Sequence, residues 1–170
     1  MKNLNFFRSR VCRVMARLGL GLAFLVAVSQ SALAVDWNGI EPLKSRRADV
    51  ERILGQPVQS EPGDLGTLHF KVMGGKVTVA FVNANFVKTK KLAPELEGTV
   101  LQIVLQHDNS SETPETMRLV DNKNFEREDR QGGTVFRNLR DGIAYTFFNG
   151  RLKTTRYSAS ATQLGKARKG

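Results

Sequence analysis

The chain offers few groups that could do chemistry, and their spacing says which chemistries are open to them. Its two histidines, His69 and His107, stand far apart in the sequence, on separate predicted strands. A metal site generally takes three or four ligands, and histidines paired closely in sequence are the useful signal, so this spacing points away from a metal. Asp108 beside His107 could orient an imidazole for a hydrolase, the one catalytic reading the residues support. A serine nucleophile needs a strained turn, a base and an oxyanion donor, and no G-x-S-x-G is present. Ser45 reads as a helix cap, and Ser110 and Ser111 as loop residues. The carboxylate groupings Glu95 with Glu97, and Glu126 with Glu128 and Asp129, lie in charged stretches with nothing to desolvate them, which predicts no raised pKa. The pair Gly132-Gly133 lacks the lysine and hydroxyl of a phosphate loop. These observations imply no cofactor, no metal and no catalytic constellation.

Binding residues are easier to find. Tyr145, Phe147, Phe148 and Tyr157 crowd the last hairpin, and Trp37 stands alone near the start of the fold. If both faces of that hairpin carry aromatics, one is a contact surface with Trp37, Tyr145 and Tyr157 as anchors. The packing alternative places Phe148 beneath the second helix. Basic residues gather at Lys88, Lys90 and Lys91 ("KTKK") and again in the tail at Lys166, Arg168 and Lys169. That bias suits anionic surfaces and weak nonspecific attraction, not a specific nucleic-acid site.

The N-terminus reads as an export signal. Lys2, Arg8, Arg10, Arg13 and Arg17 form a basic region, Leu18 to Val28 an apolar run, and Ala32-Leu33-Ala34 a small-residue cleavage site. Cleavage after Ala34 is expected by the general secretory route, since no arginine pair precedes the apolar run. Of 26 basic residues five leave with the signal, so 21 face 16 acidic ones and the net charge falls from +10 to +5. The single cysteine, Cys12, leaves too, which removes disulfides and thiolate chemistry together. No transmembrane segment is expected after cleavage, and the expected address is the periplasm or the medium.

These groups are positioned by short elements. Ser45 as N-cap, Asp49 in the first turn, Val50, Ile53 and Leu54 on one face, then Gly55 and Pro57, predict a helix from Arg46 to Leu54. Trp37, Ile40 and Leu43 form an extended lead-in. So short a helix must dock on something. "TLHFKV", "KVTVAFV" and "TVLQIVLQH" alternate as half-buried strands, with Gly74-Gly75 read as a hairpin turn and 83–98 as a loop. Thr113 and Pro114 predict a second helix with Met117 and Val120 inward and Leu119 flanking. Residues 122–132 fit either a helix or a loop. "TVFRNL", "GIAYTFF" and "RLKTTRYSAS" return to strand, with Asn149-Gly150 as the strongest hairpin signal. The two halves overlay at one constant offset, Gly66 to Gly75 on Gly133 to Gly142, although the buried face then disagrees after the second glycine. The prediction is an α+β fold: short helices on an antiparallel sheet, as tandem helix-plus-three-strand halves (35–109 and 110–161) of one domain. A basic disordered tail, 162–170, follows.

The stretch W-x-G-I-x-P-L-x-S-x-R-x-D-V-x-x-x-L-G-x-P at Trp37 to Pro57 resembles the opening of small exported bacterial proteins of uncharacterised function. "APELEGTV" (Ala93 to Val100) is similar to the strand entry those proteins carry. The resemblance covers about a third of the chain and implies no activity. A cysteine often accompanies their central loop; none stands here, so no role for it transfers. More distantly, "ADVERILGQP" followed by a hairpin looks like the helix-then-sheet unit of small outer-membrane assembly lipoproteins and of the β-lactamase inhibitor protein fold. That likeness implies architecture and no functional residue. The function expected is a periplasmic or secreted non-enzymatic binding module for a protein or an anionic envelope polymer. The alternatives are an inhibitor of an extracellular hydrolase, presenting 83–98 or the last hairpin, and a hydrolase using His107.

Overall fold

A computed structural model describes residues 36–60 and 66–168. The expected signal and Cys12 lie outside the described residues. The opening helix, α1 (Arg47–Leu54), starts one residue later than predicted. Ser45 does not cap it: the Ser45 hydroxyl accepts the Glu41 N–H (2.9 Å), and Arg46 takes the cap position, its N–H donating to the Asp49 carboxylate (3.0 Å). Asp49 thus supplies the backward half of a capping box. Val50 is the helix's buried residue.

Eight strands follow among the described residues, all paired antiparallel: β1 (Gln59–Ser60), β2 (Thr67–Val72), β3 (Gly75–Phe81), β4 (Val100–His107), β5 (Glu126–Arg130), β6 (Gly133–Asn138), β7 (Ile143–Phe148) and β8 (Arg151–Ser158). Their order across the sheet is β1-β2-β3-β4-β8-β7-β6-β5. Each half of the chain is therefore a four-stranded meander, and the halves join through their last strands. The α+β architecture is as predicted; β1 and β5 each add a strand at an edge.

The register explains why the glycine-on-glycine overlay left the faces in conflict. Relative to that overlay, β6 begins one residue early against β2 (Gly133 against Thr67), and β7 begins one residue late against β3 (Ile143 against Gly75). Val72 pairs with Gly75 across a two-residue turn, whereas Asn138 pairs with Ile143 across four residues. Sliding each strand by one residue restores the pleat: Phe70 then matches Phe136, and Val79 matches Phe147. All four are buried on one side of the sheet.

That side carries both cores. Ile40 and Val50 pack with Leu68, Phe70, Val77, Val79, Phe81, Val100 and Ile103 over the first half. Leu119 packs with Phe136, Phe147 and Leu152 over the second. The Phe136 and Phe147 rings meet edge to face at 5.8 Å, a geometry that adds about 1 kcal/mol to their burial.

Several predicted elements differ. The second helix does not form: 113–125 is a chain of turns, with the Leu119 N–H on the Pro114 carbonyl (2.8 Å) and Arg118 at φ 53°. The left-handed Arg118 turns Leu119 inward, 4% exposed, and leaves Val120 48% exposed, reversing the expected roles. Residues 126–130 are neither helix nor loop but the edge strand β5, charged throughout, which suits an unpaired edge. The tail is not disordered where it is described. Ser160 and Gln163 form a capping box for a helix at Ala161–Ala167, so the folded domain extends past 161. The stretch expected as a loop also folds, into α2 (Ala84–Lys90), capped by Asn83, and a 3-10 turn at Pro94–Leu96. We call the last helix α3.

Phe148 does not pack beneath a second helix; it is 48% exposed, and Phe147 takes the core position. Phe147→Ala should therefore cost about 3–5 kcal/mol and Phe148→Ala less than about 0.5, read as urea midpoints. Gly75 is a strand residue whose added Cβ would overlap the Gln106 carbonyl oxygen. Gly75→Ala should lose about 2–3 kcal/mol in the same measurement, as overpacking does, while Gly165→Ala, in open space on α3, should lose nothing.

Candidate functional site

Because side chains alternate along a strand, residues facing one another across antiparallel strands share a side of the sheet. The middle of the covered side lies between α1 and the turns of 113–125. Leu105 opposes Thr155 across β4 and β8, Ile103 opposes Tyr157, and Tyr145 opposes Thr155 across β7 and β8. His107, two residues past Leu105, completes this row. Its Nε2 shares a hydrogen bond with the Thr155 hydroxyl at 2.9 Å. Tyr145 leans on Phe125, ring centres 5.8 Å apart, and Tyr157 packs against the first core.

Trp37 reaches the same side by a device the sequence carried openly. Its N–H and carbonyl pair with Ile40 (3.1 and 2.9 Å) around Asn38-Gly39, whose φ values of 52° and 80° are those of a tight hairpin turn. The lead-in is thus a miniature hairpin, not an extended strand, and the dipeptide Asn-Gly was the signal for it. Trp37 and Asn38, the turn Val72–Lys76 and Leu105 to His107 line a cleft of about 370 Å³. A second cleft of about 370 Å³ lies between the turns of the other half, near Asp129 and Arg130. Its charges are already partnered, Asp129 by the Thr134 hydroxyl (2.9 Å) and Arg130 by Glu128 (2.7 Å).

Trp37, Tyr145 and Tyr157 are therefore brought to one side of the sheet together with His107. It is the covered side, where all four are half-buried, and not the opposite face. That opposite face bears Thr78, Gln102, Thr146, Thr154 and Arg156. Lys88, Lys90 and Lys91 belong elsewhere, on α2 and its cap, at the far ends of β3 and β4 from Trp37.

The electrostatics favour neutral groups. Burial lowers the His107 pKa, so its imidazole is uncharged at neutral pH. Burial raises the Tyr145 pKa, with a further push from Tyr157, and burial raises that of Tyr157. Asp108 does not orient His107: it is exposed, and its N–H donates to the Gly74 carbonyl (3.1 Å). His69 lies on the opposite face, its Nδ1 3.0 Å from the Thr78 hydroxyl, so the two imidazoles cannot share a ligand. Among the described residues no group of three or more His, Cys, Asp or Glu could hold a metal ion, and no helix is long and apolar enough to cross a membrane. The acidic clusters behave as solvated charge. The Arg130 hydrogen bond lowers the Glu128 pKa, and the Thr134 hydroxyl followed by Arg127 lowers that of Asp129. What the row offers chemically is aromatic faces, hydroxyl donors and a neutral imidazole.

No family model matches the chain, and no curated protein matches it. Among solved structures it is similar to that of a DUF4309 family protein, YjgB, from Bacillus subtilis. The two are 14% identical over 72% of this chain and 83% of that one, with a TM-score of 0.47.

Tyr145 and Tyr157 are the only tyrosines, so phenolate absorbance reports this row alone. Both should ionise above the ordinary value of about 10 in the folded protein. Tyr157→Phe should lower the Tyr145 midpoint by removing the neighbouring charge. Above that ordinary value the unfolded chain binds fewer protons than the folded one, so stability should fall as pH rises through this range. Two midpoints at the ordinary value would contradict the burial described.

Proposed function

We propose that this chain is a non-catalytic binding module working outside the cytoplasm, and that it takes a segment of a partner protein on the row Trp37, His107, Tyr145 and Tyr157. The observation that supports this reading is the exposure left on these side chains. Trp37 and Tyr157 pack against the first core and Tyr145, with Phe125 beside it, against the second, yet all four side chains of the row keep partial exposure, and the Trp37 cleft continues the same surface through His107. Rigid aromatic side chains with a polar tip supply contact area at little entropic cost, which is why such residues dominate protein contacts. The uncharged imidazole and phenols add hydrogen bonds without the desolvation cost of a buried charge. The basic n-region, apolar run and cleavage site support the address outside the cytoplasm.

The test places a photo-crosslinking phenylalanine analogue at Tyr157 and, separately, at its neighbour Arg156, which faces the other side of the sheet. Irradiation of producing cells should give an adduct of defined mass from position 157, weakened by Trp37→Ala, and none from 156. An adduct from 156 alone, or none at either position, would overturn the proposal.

A further inference from the structure

We propose that a second surface, the end of the molecule built by α2 and α3, docks on an anionic phospholipid bilayer. It is independent of the aromatic row. The two basic stretches of the sequence are far apart, one around Lys90 in mid-chain and the other around Arg168 near the C-terminus, but the fold joins them. Strand β8 ends at Ser158, Ser160 caps α3, and the chain then runs back beside the end of α2. There the Ala93 N–H donates to the Ala167 carbonyl (3.0 Å), and Leu92 bridges Arg168. Lys88, Lys90 and Lys91 thereby share one end with Lys166 and Arg168. All five are exposed, and none forms an ion pair with a described residue.

The arrangement contrasts with the charged edge strand, where Arg127, Arg130 and Arg137 are matched to Asp129 and Glu128. Three acids stand near the basic end. Glu41, bonded to Gln163 of α3, is already paired with Lys44 (2.8 Å). The Arg46 guanidinium donates to the backbone carbonyl oxygens of the other two, Glu95 and Glu97 (2.7 and 3.1 Å), adding a sixth cation beside them. A surplus of positive charge therefore remains. The occupant is a bilayer and not a soluble polyanion because of Phe86 and Val87. Both sit half-exposed on the same short helix as Lys88 and Lys90, where an aromatic ring can lodge at headgroup depth.

Each cation near an anionic leaflet strengthens binding by about fivefold, an effect that fades beyond the Debye length. The full chain should therefore bind vesicles of phosphatidylcholine containing phosphatidylglycerol more tightly than vesicles of phosphatidylcholine alone. Lys88→Ala with Lys90→Ala and Lys91→Ala should weaken binding to the anionic vesicles by about a hundredfold. A control losing equal charge elsewhere, Lys71→Ala with Lys123→Ala and Lys153→Ala, should change it far less. The N-terminal segment is common to all three proteins, so its own lipid affinity cancels in the comparison. Phe86→Ala should weaken vesicle binding but leave binding to soluble polyphosphate unchanged. Equal loss in the control, no preference for anionic vesicles, or tight polyphosphate binding unaccompanied by vesicle binding would each overturn the proposal.

Discussion

The ladder between β4 and β8 is the contact on which the rest of the structure depends. It is antiparallel, running from Gln102 opposite Ser158 to Gln106 opposite Thr154, and it joins the terminal strands of two meanders into one sheet. Its register sets which side each half buries. Because Ile103 and Leu105 oppose Tyr157 and Thr155, the apolar faces of the two halves fall on the same side. A slip of one residue would turn one core outward and leave the other in place. The pairing also sets the strands packed by α1 and those packed by the turns of 113–125 side by side in one sheet, with their two cores on a common side.

Along β4 and β8, where the halves meet, burial on that side is uneven. Ile103 lies in the first core and Leu152 in the second. Between them Leu105, His107 and Tyr157 keep partial exposure. Thr155, 4% exposed, is hydrogen-bonded to His107, with Tyr145 opposite it on β7 and Tyr157 two residues along β8. Bulges sharpen the local twist: β3 against β4 shifts at Ala80/Phe81, and β7 against β8 shifts at Thr146/Phe147, nearly equivalent places in the two halves. Two meanders of the same register and nearly the same bulge give the sheet an internal repeat of form. The repeat does not extend to its covers, since α1 packs on the first core and a run of turns on the second.

Much of the candidate site was readable residue by residue, and little of it as a site. Trp37, Tyr145 and Tyr157 stand out by type. Nothing local says that Tyr157 of β8 lies opposite Ile103 of β4, because that distance is closed only by strand pairing. The opposite faces of His69 and His107 follow from pleat and register together. Asn38-Gly39 is a different case: the dipeptide is a hairpin signal wherever it occurs, but a hairpin so short is stable only when its end side chains, Trp37 and Ile40, find a core. Thr113-Pro114 shows the reverse. Its capping chemistry is satisfied, Thr116 N–H donating to the Thr113 hydroxyl (3.2 Å), yet no helix propagates, because burying Leu119 required a left-handed Arg118.

Taken alone, the sequence determined what periodicity and local hydrogen bonding can decide. It specified the strands β2, β3, β4, β6, β7 and β8 by alternation, α1 by its face and stop, and the turn at Asn149-Gly150 by its left-handed pair of residues. It also determined that residues 35–170 carry no thiol. Tertiary structure alone decided the strand order, the common buried side and the meeting of the two basic stretches. It also gave structure to segments that read as loop or tail. The reason is that pairing between distant parts of the chain releases its free energy only once the whole sheet is assembled. A short helix such as α3 has its capping box, but it is held in place by what it touches, the carbonyl of Pro42 and the backbone of Ala93.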